Sequence, residues 1–180
     1  MKSKVTALFI LLSSFFVSNA QNSPLPAKEV LNNSLTQARA SNKHVLIIFH
    51  ASWCIWCHKM DSSINDPACR KFFTDNYIIE HLVVDESDNK KNLENPGASD
   101  FRDAQGGKDQ GIPFWIILDK NGVVLNTSMM PAKDPAKPGD NTGCPASQNE
   151  VEYFISMLKK SSSMTAGQLD IIAKRFRQNQ

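Results

Sequence analysis

Two cysteines three residues apart, Cys54 and Cys57, are the side chains best placed to do chemistry in this 180-residue chain. Residues i and i+3 of a helix lie one above the other, so these sulfurs can meet within the narrow geometry of a disulfide. At the start of a helix the first sulfur also faces unpaired backbone N–H groups and the positive end of the helix dipole. Both favour thiolate over thiol, and the thiolate is the species that attacks disulfides. The pair therefore points to thiol–disulfide exchange. Cys54 would attack, and Cys57, one turn further in, would resolve the mixed disulfide.

The stretch before the pair must deliver it. Val45 to Phe49 is an apolar, β-branched run without alternation, which predicts a central strand covered on both faces. A short turn then leads into Cys54-Ile55-Trp56-Cys57, and His58, Lys59 and Met60 continue in a helical pattern to about Asn65. Ala51-Ser52-Trp53-Cys54-Ile55-Trp56-Cys57 resembles the A-x-W-C-x-x-C signature of the thioredoxin family.

The rest of the chain can be tested against that resemblance. Ala27, Leu35 and Ala38 with Leu31 mark one helical face ending by Ser41-Asn42. Asp66-Pro67 predicts an N-cap and first-turn proline for a short helix carrying Cys69, Phe72 and Phe73. Tyr77–Val84 reads as a strand, and short helical pieces are expected around Leu93 and Phe101. Phe114–Leu118, the turn Asp119-Lys120-Asn121-Gly122 and Val123–Thr127 predict a hairpin. Met129–Gln148 reads as a loop, Val151–Leu158 as a helix, and Thr165 with Gln168 as the capping box of a last one. Parallel strands joined through helices, then an antiparallel hairpin, predict an α/β fold with a mixed sheet and helices on both faces. That is the thioredoxin fold, and the resemblance covers roughly residues 27–160. Insertions at about 85–110 and 129–148 and a C-terminal helix are additions to it within a domain spanning 27–180.

The resemblance also implies site residues. Ile112-Pro113, in a Gly-Ile-Pro context, occupies the place of the family's cis X-Pro beside the active cysteines, where the Ile112 backbone would pair with an extended substrate. Trp53 would flank the site and shape the substrate surface. The family's buried aspartate beneath the cysteines is replaced by Ile48, and its partner lysine by His81, which reads as a partly exposed strand-edge histidine or a proton carrier. Ile55-Trp56, between the cysteines, brings neither a charge nor a histidine, which favours a reductase or general exchange over an oxidase or isomerase. Cysteine-containing proteins would be the substrates, no cofactor is needed, and electrons would pass through a thiol–disulfide partner, as with a membrane-bound carrier. Cys69 and Cys144 read either as a structural disulfide pinning the long loop or as separate thiols, with Cys69 buried on its helix.

Other chemistry fits the same residues less well. Cys54-x-x-Cys57-His58 is also the c-type haem attachment pattern, with His58 as axial ligand and Met129 or Met130 as the sixth. A strand leading directly into the motif, and a second strand and hairpin, have no role in such a mainly helical protein. Cys54, Cys57, His58 and Cys69 fall short of a closed zinc site, so no metal is expected. A binding module that keeps the fold without turnover would not need both cysteines.

The address is read from the first residues. A basic start, a short apolar stretch from Val5 to about Val17 and Ser18-Asn19-Ala20 predict a signal peptide over 1–20, followed by a mobile leader over 21–26. The mature chain would be periplasmic or extracellular. Its formal charge would fall from +2 to zero with Lys2 and Lys4 removed, which argues against nucleic acid or anionic membrane as a partner. Without an apolar heptad, a monomer is expected.

Overall fold

The computed structural model describes residues 23–132 and 139–180; the expected signal peptide and the first residues of the leader lie outside them. The fold is built around β1, His44–His50, whose five central residues are all buried. Strand geometry sends alternate side chains to opposite faces. Val45, Ile47 and Phe49 thus enter one core cluster, and Leu46 and Ile48 another. β1 pairs in parallel with β2, Tyr77–Val83, and antiparallel with β3, Phe114–Leu118. β3 divides in the same way, with Phe114, Ile116 and Leu118 on one face and Trp115 and Ile117 on the other. β4, Val124–Thr127, closes the hairpin and completes the order β2-β1-β3-β4.

Both faces are covered, which is why β1 and β3 are apolar throughout. On one side lie α1, Ala27–Ser41, through Ala27, Leu35 and Ala38, and α4, Ala98–Arg102, through Ala98. On the other lies α2, Ile55–Ile64, through Met60 and Ile64, with α3, Arg70–Asn76, through Phe73. The same side carries α5, Gln148–Ser161, and α6, Ala166–Arg177. This is the mixed sheet between helical layers that the thioredoxin fold requires. Among the described residues no helix is long and apolar enough to cross a membrane.

Local chemistry sets the element ends, and in two places it departs from expectation. The short helix starts at Arg70, not at Asp66-Pro67. Asp66 Oδ1 accepts the Ala68 N–H at 2.9 Å and its carbonyl accepts from Cys69 and Arg70. The aspartate thus closes its own turn two residues on instead of capping a helix. Within Met129–Gln148, a ribbon forms from β5, Met129–Met130, and β6, Asp140–Asn141. Two-residue strands carry no readable alternation. Of the two readings of Cys69 and Cys144, the structure has the separate thiols, both free and buried in the same core cluster. The capping box of Thr165 and Gln168 is present, and a second joins Ser147 to Glu150 at α5. Around Leu93 and Phe101 lie a 3-10 turn over Asp88–Leu93 and α4.

Candidate active site

The redox pair stands where β1 hands over to α2. Cys54 is the N-cap of α2 in an extended conformation, and the Cys57 N–H donates to its Sγ at 3.1 Å. Cys54 and Cys57 are joined in a disulfide with a Cα–Cα distance of 5.3 Å. Cys54 Sγ lies 3.5 Å from the Ile112 carbonyl oxygen, and Ile112 packs against Ala51, Cys54 and Cys57. The Ile112–Pro113 peptide bond is cis. Sequence positions 58 residues apart are thus brought to one place by the antiparallel pairing of β1 and β3.

The sulfurs themselves are shielded, at 3% and 1% exposure, and differ little in access in the oxidised pair. Their surround is not shielded. Trp53, Ile55 and Trp56 are 56%, 70% and 46% exposed and form an apolar rim. The Lys59 ammonium sits over the Trp56 ring, 4.2 Å from its centroid. Beside the rim a cavity of about 410 Å³ runs between Trp56, Ile112, Pro113 and the Asn141–Cys144 segment. Asn141 Nδ2 holds its walls together, donating to the carbonyls of Gly111 at 2.6 Å and Pro113 at 3.1 Å.

Beneath the pair, Ile48 is fully buried among apolar side chains, so no acceptor stands where the family has its aspartate. His81 lies on the edge strand β2, half-buried, with Nε2 2.7 Å from Asp61 Oδ1. Asp61 is four residues beyond Cys57 on α2, hence on the same helical face. The His50 ring contacts that of His81 edge-on, with centroids 5.0 Å apart. Burial above all, and then the neighbouring His81, push the His50 pKa down, which favours its neutral form at pH 7.

The haem alternative does not fit this arrangement. The motif opens α2 directly after a buried central strand, and the His58 Nε2 is turned to the Ser52 carbonyl, 3.0 Å away. Met129 packs into the core on the α1 side of the sheet. Among the described residues no group of three or more His, Cys, Asp or Glu could hold a metal ion.

Cys144 borders the cavity, yet burial pushes its thiol up to about 12, and burial raises Cys69 likewise. At pH 8 Cys144 is then held as the thiol, and the thiolate is the reactive form. After reduction, iodoacetamide is expected to label Cys54 in the native protein, with Cys69 and Cys144 labelled only on unfolding. Mass spectrometry of the alkylated peptides reads this out; a native adduct on Cys144 would show that its thiol is open to the cavity.

A disulfide capping a helix, delivered by a central parallel strand of a thioredoxin fold, defines a thiol–disulfide oxidoreductase. The family model described as thioredoxin-like matches residues 27–120, and the chain belongs to that family. Solved structures similar to it include a disulphide isomerase from Xylella fastidiosa Temecula1, at 20% identity over 65% of this chain and 80% of that one, with a TM-score of 0.46. The oxidised C-terminal domain of DsbD from Neisseria meningitidis is similar at 15% identity over 77% of this chain and 98% of that one, TM-score 0.45. A thioredoxin from Thermus thermophilus is similar at 15% identity over 77% and 87%, TM-score 0.45. No curated protein matches the chain.

Sequence reasoning named the cysteines, Trp53, Ile112 and Pro113, and the fold brings all five to one end of the two central strands. It missed Asp61, Glu86 and Asn141, whose partners lie 20, 34 and about 30 residues away. No local pattern marks such pairs.

Proposed function

We propose that this protein is an exported disulfide reductase acting on cysteine pairs of other proteins. The observation that carries the reading is the setting of Cys54: a helix N-cap sulfur that accepts the Cys57 N–H and abuts the Ile112 carbonyl. In the reduced protein the same donor and the helix dipole stabilise the Cys54 thiolate. That thiolate attacks one sulfur of a client disulfide, forming a mixed disulfide and releasing the other client sulfur as thiolate. Cys57, having lost its proton, then attacks Cys54 Sγ and releases the second client thiolate. The client gains two electrons, and the Cys54–Cys57 disulfide is left behind for a dithiol donor to reduce.

The exposed rim of Trp53 and Trp56 and the cavity beside Ile112–Pro113 give an extended client segment its place to lie. Export rests on the N-terminal signal pattern, and in that compartment the donor would be a thiol–disulfide carrier, as in the membrane. The reducing direction rests on Ile55-Trp56, which offers Cys54 no positive charge.

The deciding measurement is the reduction potential, by titration against thiol buffers with tryptophan fluorescence as the signal. A value near the thioredoxin end, about −270 mV, is expected. A value near about −120 mV would make the protein an oxidant and reverse the proposed direction.

A further inference from the structure

β1 and β2 run parallel with His50 opposite Val83, so the segments that leave them emerge side by side. One is the turn Ala51-Ser52-Trp53 that delivers Cys54; the other is Asp85-Glu86, the start of the long connection to β3. The two are tied at several points. Glu86 Oε1 accepts the Ser52 N–H at 2.5 Å, and Oε2 accepts the Ser52 hydroxyl at 2.9 Å. The Trp53 indole N–H donates to the Asp85 carbonyl at 2.9 Å. The Glu86 N–H donates to Glu94 Oε1 at 2.8 Å, and Arg102 forms ion pairs with Asp85 and Asp103. Asp85 adopts a left-handed φ of 52°, which reverses the chain there and which aspartate tolerates better than most residues.

Glu86 is only 3% exposed, a covered carboxylate bonded to Ser52, which lies two residues before the attacking Cys54. Burial by itself would raise its pKa. The two Ser52 hydrogen bonds, with Lys90 and His50 nearby, more than offset that and hold it below the usual carboxylate range, so it is charged at neutral pH. The groups facing it are few. Lys90 reaches Ser52 Oγ at 3.2 Å, His50 favours its neutral form, His58 lies at the Ser52 carbonyl, the Asp85 charge is taken up by Arg102, and Glu94, on the Glu86 N–H, is paired with Lys91.

We infer that Glu86 is a positioning residue of the redox site, one that fixes the turn carrying Cys54 and holds a negative charge against that turn, where it acts on the thiolate. This rests on the thiol–disulfide reading above. An anion near Cys54 disfavours the thiolate and raises its pKa. A thiolate so destabilised makes the disulfide harder to reduce and the dithiol the better reductant. Glu86 therefore sets the direction of exchange from outside the Cys-x-x-Cys motif.

Glu86→Gln keeps an acceptor for the Ser52 N–H and removes the charge. Its reduction potential against glutathione is expected to move about tenfold in equilibrium constant towards the reduced form, about 30 mV less negative. The Cys54 thiolate, followed by its ultraviolet absorbance, should titrate at lower pH. Lys90→Gln removes a cation from the same carboxylate on an exposed side chain, and should move both readings the opposite way by about two- to threefold. Opposite shifts support the inference, and Lys90→Gln alone decides should Glu86→Gln fail to fold. If the wild type cycles reversibly while both folded variants keep its potential and its thiolate titration, Glu86 has no such role and the exchange reading stands. A wild type that never reaches equilibrium with glutathione overturns the exchange reading itself, and this inference with it.

Discussion

Cys54→Ser is expected to lose thiol–disulfide exchange activity by about a thousandfold or more, while Cys57→Ser stalls with the client attached. A serine hydroxyl at the N-cap of α2 receives the same Cys57 N–H and the same helix dipole. Neither comes close to making it an anion at neutral pH. A thousandfold loss corresponds to about 4 kcal/mol of transition-state stabilisation, the scale expected when the nucleophile itself is removed. Cys57→Ser leaves the nucleophile in place and removes only the resolving step, so the mixed disulfide on Cys54 should accumulate. Insulin reduction measures the first effect, and intact mass under non-reducing conditions the second. Activity above about a tenth of wild type in Cys54→Ser, or no adduct in Cys57→Ser, would reject the assignment of roles. Cys69→Ser and Cys144→Ser provide the contrast, since both thiols are buried and held protonated.

Legibility followed the range of the interaction. β1 announced itself because a strand covered on both faces must be apolar at every position, and Val45 to Phe49 are. The capping residues of α6 could be read because Thr165 and Gln168 are three apart; the box at Ser147-Gln148-Asn149-Glu150 has the same S-x-x-E form and was equally open to reading. Asp66 resisted because an aspartate before proline serves an N-cap and a self-closing turn alike, and the local sequence does not choose between them. The pairing of Cys69 and Cys144 could not be settled because it depends on side-chain direction. They share one core cluster, yet Asn179 donates to Cys144 Sγ at 3.4 Å and no bond joins the two sulfurs. Glu86 and Asn141 were invisible for another reason. Asn141 holds only backbone carbonyls and Glu86 a backbone N–H and one hydroxyl of a distant turn, and a backbone partner leaves no mark on residue type.

Phe176→Ala is expected to cost about 3–5 kcal/mol, because α6 belongs to the same core as the redox helix. The match to the family ends at residue 120, so α6 could have been an attachment to a complete domain. Its packing says otherwise. Phe176 is fully buried, with ring centroids 5.0 Å from Phe154 and 6.3 Å from Phe73, and Phe154 in turn meets Trp115 of β3 at 5.2 Å. Just past α6, the Asn179 carbonyl accepts from Lys59 Nζ at 2.9 Å, and its side chain bonds Ser63 Oγ at 2.9 Å. Arg175 adds an ion pair with Asp66 at 2.8 Å. Lys59 and Ser63 lie on α2, so α6 buttresses the helix whose first turn holds the cysteines. Against a total stability of about 5–15 kcal/mol, losing one aromatic from this junction removes a large fraction. A domain of this size then melts about 6–20 °C lower. Ile171→Ala, on the exposed face of the same helix, should stay within about 0.5 kcal/mol and separates core packing from helix propensity. Urea unfolding of both variants with the disulfide intact gives the comparison. If Phe176→Ala fell within 1 kcal/mol of wild type, α6 would be an appendage, and its hold on Lys59 and Ser63 would have no part in keeping the redox helix in place.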